Sequence, residues 1–496
     1  MPASTTLPPL LHALHAAASQ QPDAPALRFD GEVLSHGALQ ARALALAKRL
    51  QQRGVSAGDR VAWLGFSHPN AIVLLLALAH LRAMLVPLNF RLAPAEWRAV
   101  LADCTPRLLL HDVAWVDAAQ ALADCTPVHA MAQWMQGLGD AHTQADHMLA
   151  SGLADDAPAL LVYTSGTTGM PKGAVHRQSH LAANLRMARA AQGITPADRV
   201  LTVLPLFHVG GLCIQTLPAL SAGAEVTLYP RFDSDAVFDA LAQQRPTLTL
   251  FVPAVMKALI EHPRWAQADL SCLRAVWAGS SVIPQVLVDA FHARGVPVCN
   301  VYGATETGPF SIALGPAHVM SHAGSCGWPV EGVEVQLTHE KNGVGELLIR
   351  APNVVQHYWP DRPATDAQGW FHSGDLGQCA ADGSWRIVGR AKDMIISGGE
   401  NIYPAEIEHL LAAHPAVADC AVLGQDDAQW GEVVVAVVVP RDGAADAAGI
   451  EAVLREHLQS RIARYKQPRR WVVAHELPRT ALGKVRKDEL KRQLQA

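Results

Sequence analysis

The segment "YTSGTTGMPKG", residues 163–173, packs four small hydroxyl residues, three glycines and one lysine into eleven positions of an otherwise apolar chain. Side chains this small bury almost nothing, so the use of the segment lies in its backbone. Consecutive small residues let N–H groups converge on one point, which is how a loop holds phosphate oxygens. Ser165, Thr167 and Thr168 add hydroxyl donors, and Lys172 adds a mobile charge. The apolar run "ALLVY" just before it reads as a strand, which places the loop at a strand end. A flexible solvated turn is the alternative, and the residues of the segment alone leave the two about level. It is not a Walker A loop: GxxxxGK followed by Ser or Thr is unmet, and Pro171 precedes the lysine.

Outward from this loop, helix-period and strand-like segments alternate over the first three-quarters of the chain. "GALQARALALAKRLQQRG" (37–54) is followed by "DRVAWLG" (59–65), a helix predicted over 71–84, and "MLVPLN" (84–89). Further on, "RVLTVLPL" reads as a strand, "SDAVFDALAQQR" as a helix and "TLTLFVP" as a strand. This α/β alternation predicts parallel-rich sheets covered by helices. Shorter, turn-rich strands such as "VEVQLT" and "GELLIRAP" occupy about 325–390. After "GRAKD" a small α+β unit follows, with helices "PAEIEHLLAAHP" and "GIEAVLREHLQSRI" around strands "VADCAVLG" and "EVVVAVVVP". The predicted boundary is Lys392, giving domains 1–391 and 392–496.

At 496 residues the chain exceeds one ordinary core. Half its residues are hydrophobic and 17% charged, as in a compact globular protein. A net charge of −5 with mixed signs does not indicate a general nucleic-acid surface. Eight cysteines are scattered singly without metal-ligand or CxxC spacing, so reduced thiols and a cytoplasmic location are expected. The N-terminal "MPASTTLPPLLHALHAAASQQPDAP" lacks a basic n-region and reads as an amphipathic helix. The most apolar run, "AIVLLLALAHLRAMLVPL", carries His80 and Arg82, which favours a buried helix over a membrane span. Peripheral lipid contact is left open, and a monomer or homodimer is expected.

Four more segments follow the first in order: "NVYGATETG" (300–308), "HSGDLG" (372–377), "GRAKDMIISGGENIYPAEIE" (389–408) and "LPRTALGKVRK" (477–487). Both shorter ones read as polar, glycine-flanked stretches placed after apolar strands. Together with "YTSGTTGMPKG" they resemble, at the usual separations, the core motifs of the adenylate-forming superfamily, and "MIISGGENIYPAEIE" is similar to its bacterial acyl-CoA ligase branch. The resemblance covers almost the whole chain. It implies a large domain with a β-barrel-like subdomain, a small mobile C-terminal domain, and the substrates and cofactors ATP, Mg²⁺ and coenzyme A. The implied reaction makes an acyl-AMP from a carboxylic acid and then a thioester.

By the same resemblance, Thr164, Ser165, Gly166, Thr167, Thr168, Gly169 and Lys172 hold phosphates. Glu306 and Thr168 hold Mg²⁺, with Thr305 beside them. Asn300, Tyr302 and Gly303 meet the adenine, and Asp375 with Arg390 the ribose. Lys484 is the adenylation lysine. Lys392 is the hinge, where many relatives carry Asp. Ser397, Gly398 and Gly399 face the pantetheine tunnel. "LPLFHVGGL" (204–212) corresponds to the acyl-site segment: His208 gates the carboxylate, Val209, Gly210 and Gly211 border the acid, and Gly210 and Gly211 leave volume. Trp277, Ala278, Gly279, Gly303 and Gly308 complete the wall. His-Val-Gly-Gly, where an amino-acid-activating relative has Asp, disfavours amino acids. No arginine stands out for a second carboxylate. A fatty or aryl monocarboxylic acid is expected. A carrier-protein thiol as acceptor and a silent ligand-binding relative remain as alternatives; a luciferase-like oxidation is remote.

Overall fold

In the computed structural model the chain is described over residues 7–138, 156–164, 172–280, 283–397, 400–427, 430–441, 447–459, 461–480 and 483–495. The described strands form four sheets. "ALLVY" lies in the strand Pro158–Thr164, and the chain re-enters the same eight-stranded sheet as its antiparallel neighbour Lys172–Arg177. Residues 165–171 therefore join two adjacent strands. Ser165, Gly166, Thr167, Thr168 and Gly169 lie outside the described residues, as do Gly398 and Gly399.

The eight-stranded sheet takes its parallel core from Arg60–Leu64, Met84–Pro87, Leu108–His111 and Pro158–Thr164. The nine-stranded sheet is parallel through Arg199–Thr202, Glu225–Leu228, Leu248–Phe251, Ala275–Gly279 and Val298–Tyr302. Parallel sheets need both faces covered, which is why their strands read as apolar runs rather than alternations. The most apolar helix, Pro69–Leu81, is such a cover, with Ala71–Ala79 wholly buried. It stops at Leu81 rather than at 84, because Arg82 takes a left-handed φ of 58° and closes the turn. Among the described residues, no helix is long and apolar enough to cross a membrane. The N-terminal amphipathic segment is the helix Pro9–Gln20, docked through Leu10, Leu11, Ala17 and Ala18.

The barrel-like unit is a four-stranded antiparallel sheet, Glu334–Lys341, Val344–Arg350, Phe371–Cys379 and Trp385–Arg390 in that order. "HSGDLG" lies inside its strand Phe371–Cys379, not in a loop after a strand as its composition suggested; its glycines sit in a ladder with a register shift.

Beyond Lys392 the small unit has its own core around Ile395, Ile407, Leu411, Val422, Val434 and Leu454. Its strand Gly431–Pro440 explains the run "EVVVAVVVP". Val434, Ala436 and Val438 face that core, while Val435 and Val437 face a second one beneath the helix Lys487–Gln495. The unit meets the large domain through the helix Pro253–Ile260. Lys257 Nζ donates to the Ala418 carbonyl at 2.7 Å, and Arg441 lies 3.5 Å from Glu261. Gly483, beside Lys484, abuts Ala254.

Candidate active site

Strands from two different sheets meet at Tyr302 and Asp375. Tyr302 closes the strand Val298–Tyr302, and its hydroxyl donates to Asp375 Oδ2 at 2.8 Å. Asp375 and Arg390 are cross-strand partners, and Arg390 Nε meets Asp375 Oδ1 at 2.8 Å. Ser373 anchors both: its hydroxyl accepts from the Asp375 amide and its carbonyl from Arg390 Nη1. Asp375 is buried, and burial raises its pKa against the pull of Arg390 and Tyr302. Burial, followed by the Asp375 charge, pushes Tyr302 well above the usual tyrosine range, so it stays a donor. Asn300 gives its amide nitrogen to the Ser325 carbonyl at 3.2 Å, leaving Oδ1, the atom an adenine amine would need.

Lys484 is brought to this network. Its side chain is exposed, yet its surroundings desolvate the ammonium, and with Arg390 and Lys392 they lower its pKa against Asp375 and Asp393. Lys392 itself lies in the short turn Ala391–Asp393 and pairs with Asp488 at 3.3 Å. Ser397 is buried at the end of the strand Ile395–Ser397.

Glu306 lies between Thr305 and Thr307 in a single 3₁₀ turn after Ala304. Its Oε1 accepts from the Tyr358 hydroxyl at 2.8 Å; among the described residues Oε2 has no hydrogen-bond partner. Magnesium keeps one or two protein carboxylates and takes the rest from phosphates and water, so a carboxylate with one oxygen left without a partner fits it. Among the described residues no group of three His, Cys, Asp or Glu offers an alternative cage. Lys172 opens a strand rather than riding on the loop, with its ammonium 5.5 Å from the Tyr358 ring centre, and Thr164 precedes the loop. Tyr358 and Asn353 were missed in the sequence. Asn353 donates to the Thr307 and Phe310 carbonyls and so shapes the turn after Glu306.

The acyl segment turns after Arg199–Thr202 into the π-helical turn Gly210–Thr216. Burial, helped by Arg91, pushes the His208 pKa down to about 3, so the imidazole is neutral, and its buried Nε2 has no partner among the described residues. Val209 is buried. Gly210 opens on empty space, whereas a side chain at Gly211 would strike the Pro205 and Leu204 carbonyls. The expectation that both glycines leave volume therefore holds for Gly210 alone. Gly279, Gly303 and Gly308 are likewise filled against Val301, Pro309 and the Asn184–Asn353 pair. Trp277 and Ala278 are wholly buried, with the Trp277 ring 6.0 Å from Phe310 and its Nε1 unpartnered among the described residues. Arg91 bears on His208 electrostatically and lies over the Phe90 ring at 5.5 Å. Nothing in "NFRL" tied it to a segment more than a hundred residues away.

These pieces are matched by two family models: AMP-binding enzyme over residues 14–359, and AMP-binding enzyme C-terminal domain over 406–484. The chain belongs to the AMP-binding enzyme family. It is 45% identical to an indoleacetate–CoA ligase of Aromatoleum aromaticum, over 96% of each chain. Identity to a feruloyl-CoA synthase of an Amycolatopsis species is 40%, over 96% of this chain and 97% of the relative. The fold matches an o-succinylbenzoate CoA synthetase of Bacillus subtilis in complex with its acyl-adenylate intermediate, with TM-score 0.86, 29% identity and 97% coverage of each chain. This AMP-binding enzyme is an ATP-dependent acid:CoA ligase that uses Mg²⁺. Its two half-reactions are RCOO⁻ + ATP → RCO–AMP + PPi, and RCO–AMP + CoASH → RCO–SCoA + AMP. Adenylation turns an oxide, which a thiol cannot expel, into the leaving group AMP.

Proposed function

We propose that this ligase activates an aryl-substituted monocarboxylic acid. The observation that carries the reading is the open space at Gly210 beside a neutral His208. An incoming carboxylate gives the orphaned His208 Nε2 its missing partner. The relatives named for indoleacetate and ferulate, at 45% and 40% identity, support an aryl acid over a fatty one; those named for long-chain fatty acids stand at 31%. Arg91 favours a second reading, an aryl acid bearing another carboxylate.

In this reading Lys484 bridges the carboxylate and the α-phosphate, where its charge offsets repulsion between two anions. Asp375 holds the ribose hydroxyls, Arg390 steadies Asp375, and Tyr302 with Asn300 borders the adenine. Glu306 with Thr168 would hold Mg²⁺, whose charge spreads over the phosphate oxygens. Lys172 and the 164–169 loop hold phosphate. The 392–496 unit turns about Lys392 before thioester formation, with Ser397, Gly398 and Gly399 along the CoA path. We place the enzyme in the cytoplasm, as a monomer or homodimer. Pyrophosphate release tests the acid: indole-3-acetate and ferulate against octanoate, palmitate, malonate and 2-succinylbenzoate, each with and without CoA. Aryl monocarboxylates are expected to lead; a lead for the fatty acids overturns the reading, and one for the dicarboxylates selects the second.

A further inference from the structure

The segment 353–359 runs between the two parts of the site that meet the triphosphate, and it is tied to both. At one end Asn353 holds the Thr307 carbonyl at 2.6 Å, and the Val355 amide donates to the Glu306 carbonyl at 2.8 Å. At the other end Tyr358 pairs with Ala174, and the Trp359 amide donates to the Gly173 carbonyl at 2.7 Å. Gly173 lets that strand approach: a side chain there would press on Leu161, Tyr163 and Trp359. Trp359 Nε1 adds a hydrogen bond to the Asp103 carbonyl at 3.0 Å. The backbone around Tyr358 is thereby fixed on both sides.

Tyr358 uses that position twice. Its hydroxyl donates to Glu306 Oε1 at 2.8 Å, and its ring lies 5.5 Å from the Lys172 ammonium. A hydrogen bond to one carboxylate oxygen fixes the rotamer and directs the other oxygen, while a ring face attracts a cation without tying it down.

We propose that Tyr358 is a positioning residue for ATP: its hydroxyl aims Glu306 Oε2 at the metal, and its ring holds Lys172 ready for phosphate. The proposal rests on the reading of Glu306 as the Mg²⁺ ligand. The two functions separate by substitution. Tyr358→Phe removes the hydroxyl and keeps the ring; Tyr358→Leu removes both.

The test is pyrophosphate release as a function of free Mg²⁺ at fixed ATP, then of ATP at saturating Mg²⁺. It compares the parent enzyme, both Tyr358 variants and Glu306→Gln. Retained CoA transfer from supplied acyl-AMP reports that each variant is folded. Tyr358→Phe is expected to raise the Mg²⁺ half-saturation about tenfold, as for loss of one hydrogen bond to a charged group, with the ATP KM at saturating Mg²⁺ little changed. Tyr358→Leu is expected to raise that KM as well. If Glu306→Gln shifts the Mg²⁺ dependence while Tyr358→Phe leaves it at the parent value, Tyr358 has no positioning role and Glu306 keeps its own. If neither shifts it, the Glu306 reading falls first and takes this one with it.

Discussion

On the proposed reading, the nucleoside end of the site and its acyl end follow different rules. Around Asp375 both carboxylate oxygens are engaged, by Tyr302 and Arg390, and Ser373 binds the flanking backbone. In the segment that carries Gly210 a polar atom is left waiting: His208 Nε2 is buried without a partner among the described residues. A finished network suits a ligand fragment that never changes, since every ATP brings the same ribose. Unpaired donors suit a fragment that completes them on arrival, and a buried polar atom left unpaired costs free energy until it does. On that reading the enzyme combines a fixed nucleotide seat with an acid seat whose walls set selectivity.

The largest expected effect breaks the fixed seat. Lys484→Ala removes the cation brought to Asp375 and should lower acyl-AMP formation about a thousandfold, on the scale of losing one transition-state donor. Thioester formation from supplied acyl-AMP should survive; equal loss of both half-reactions in single-turnover assays would show that the lysine serves both.

Next in size is a pair of substitutions at the acyl end. Gly210→Leu fills open space and should cost aryl acids about a hundredfold in kcat/KM, the upper range for reshaping an apolar pocket. Acetate or propionate, if accepted at all, should be spared. Its neighbour Gly211→Ala meets carbonyl oxygens and should instead destabilise the fold by about 1–3 kcal/mol in denaturant melts, as overpacking does. If the two glycines behaved alike, the acyl end would not be assigned correctly.

A smaller effect is expected at Asp375→Asn, which keeps the shape but loses the charge that Arg390 faces. The ATP KM should rise about tenfold to a hundredfold, the range for hydrogen bonds to a charged group, with the preference among acids unchanged.

An effect on stability rather than on catalysis comes with pH. Burial lowers His80 to about 4 and His176 and His208 to about 3, against 6.5 for the free side chain. Below 6.5 the unfolded chain binds protons that the fold refuses, so stability is full above that pH and falls as pH drops toward those values. Each histidine costs about 1.4 kcal/mol per pH unit in that window. Denaturant melts at pH 7 and pH 5 check this; equal midpoints would mean that these histidines are hydrated.

The proposed nucleotide seat was more legible in the sequence than the proposed acid seat, for a physical reason. A phosphate loop, a ribose carboxylate and a late lysine require particular residue types in a particular order, and that order is written in five short segments. The alternation of apolar runs likewise carried the parallel sheets, and "EVVVAVVVP" was readable as a strand because both its faces are covered. What stayed hidden depends on contacts between distant segments. Tyr358 lies 52 positions from Glu306, and nothing in "HYWPDRP" points to it. Gly210 and Gly211 are identical letters, and only the carbonyls of Leu204 and Pro205 tell them apart. The charge of Arg91 bears on the His208 pKa across the fold in the same way.

A crystal structure of the enzyme with a non-hydrolysable indole-3-acetyl-AMP analogue tests the division of the site most directly. It should place both ribose hydroxyls on Asp375 with Tyr302 and Arg390 unmoved, and the indole over Gly210 with His208 Nε2 at last hydrogen-bonded. A ribose held away from Asp375, or an acyl group seated away from Gly210, would contradict it.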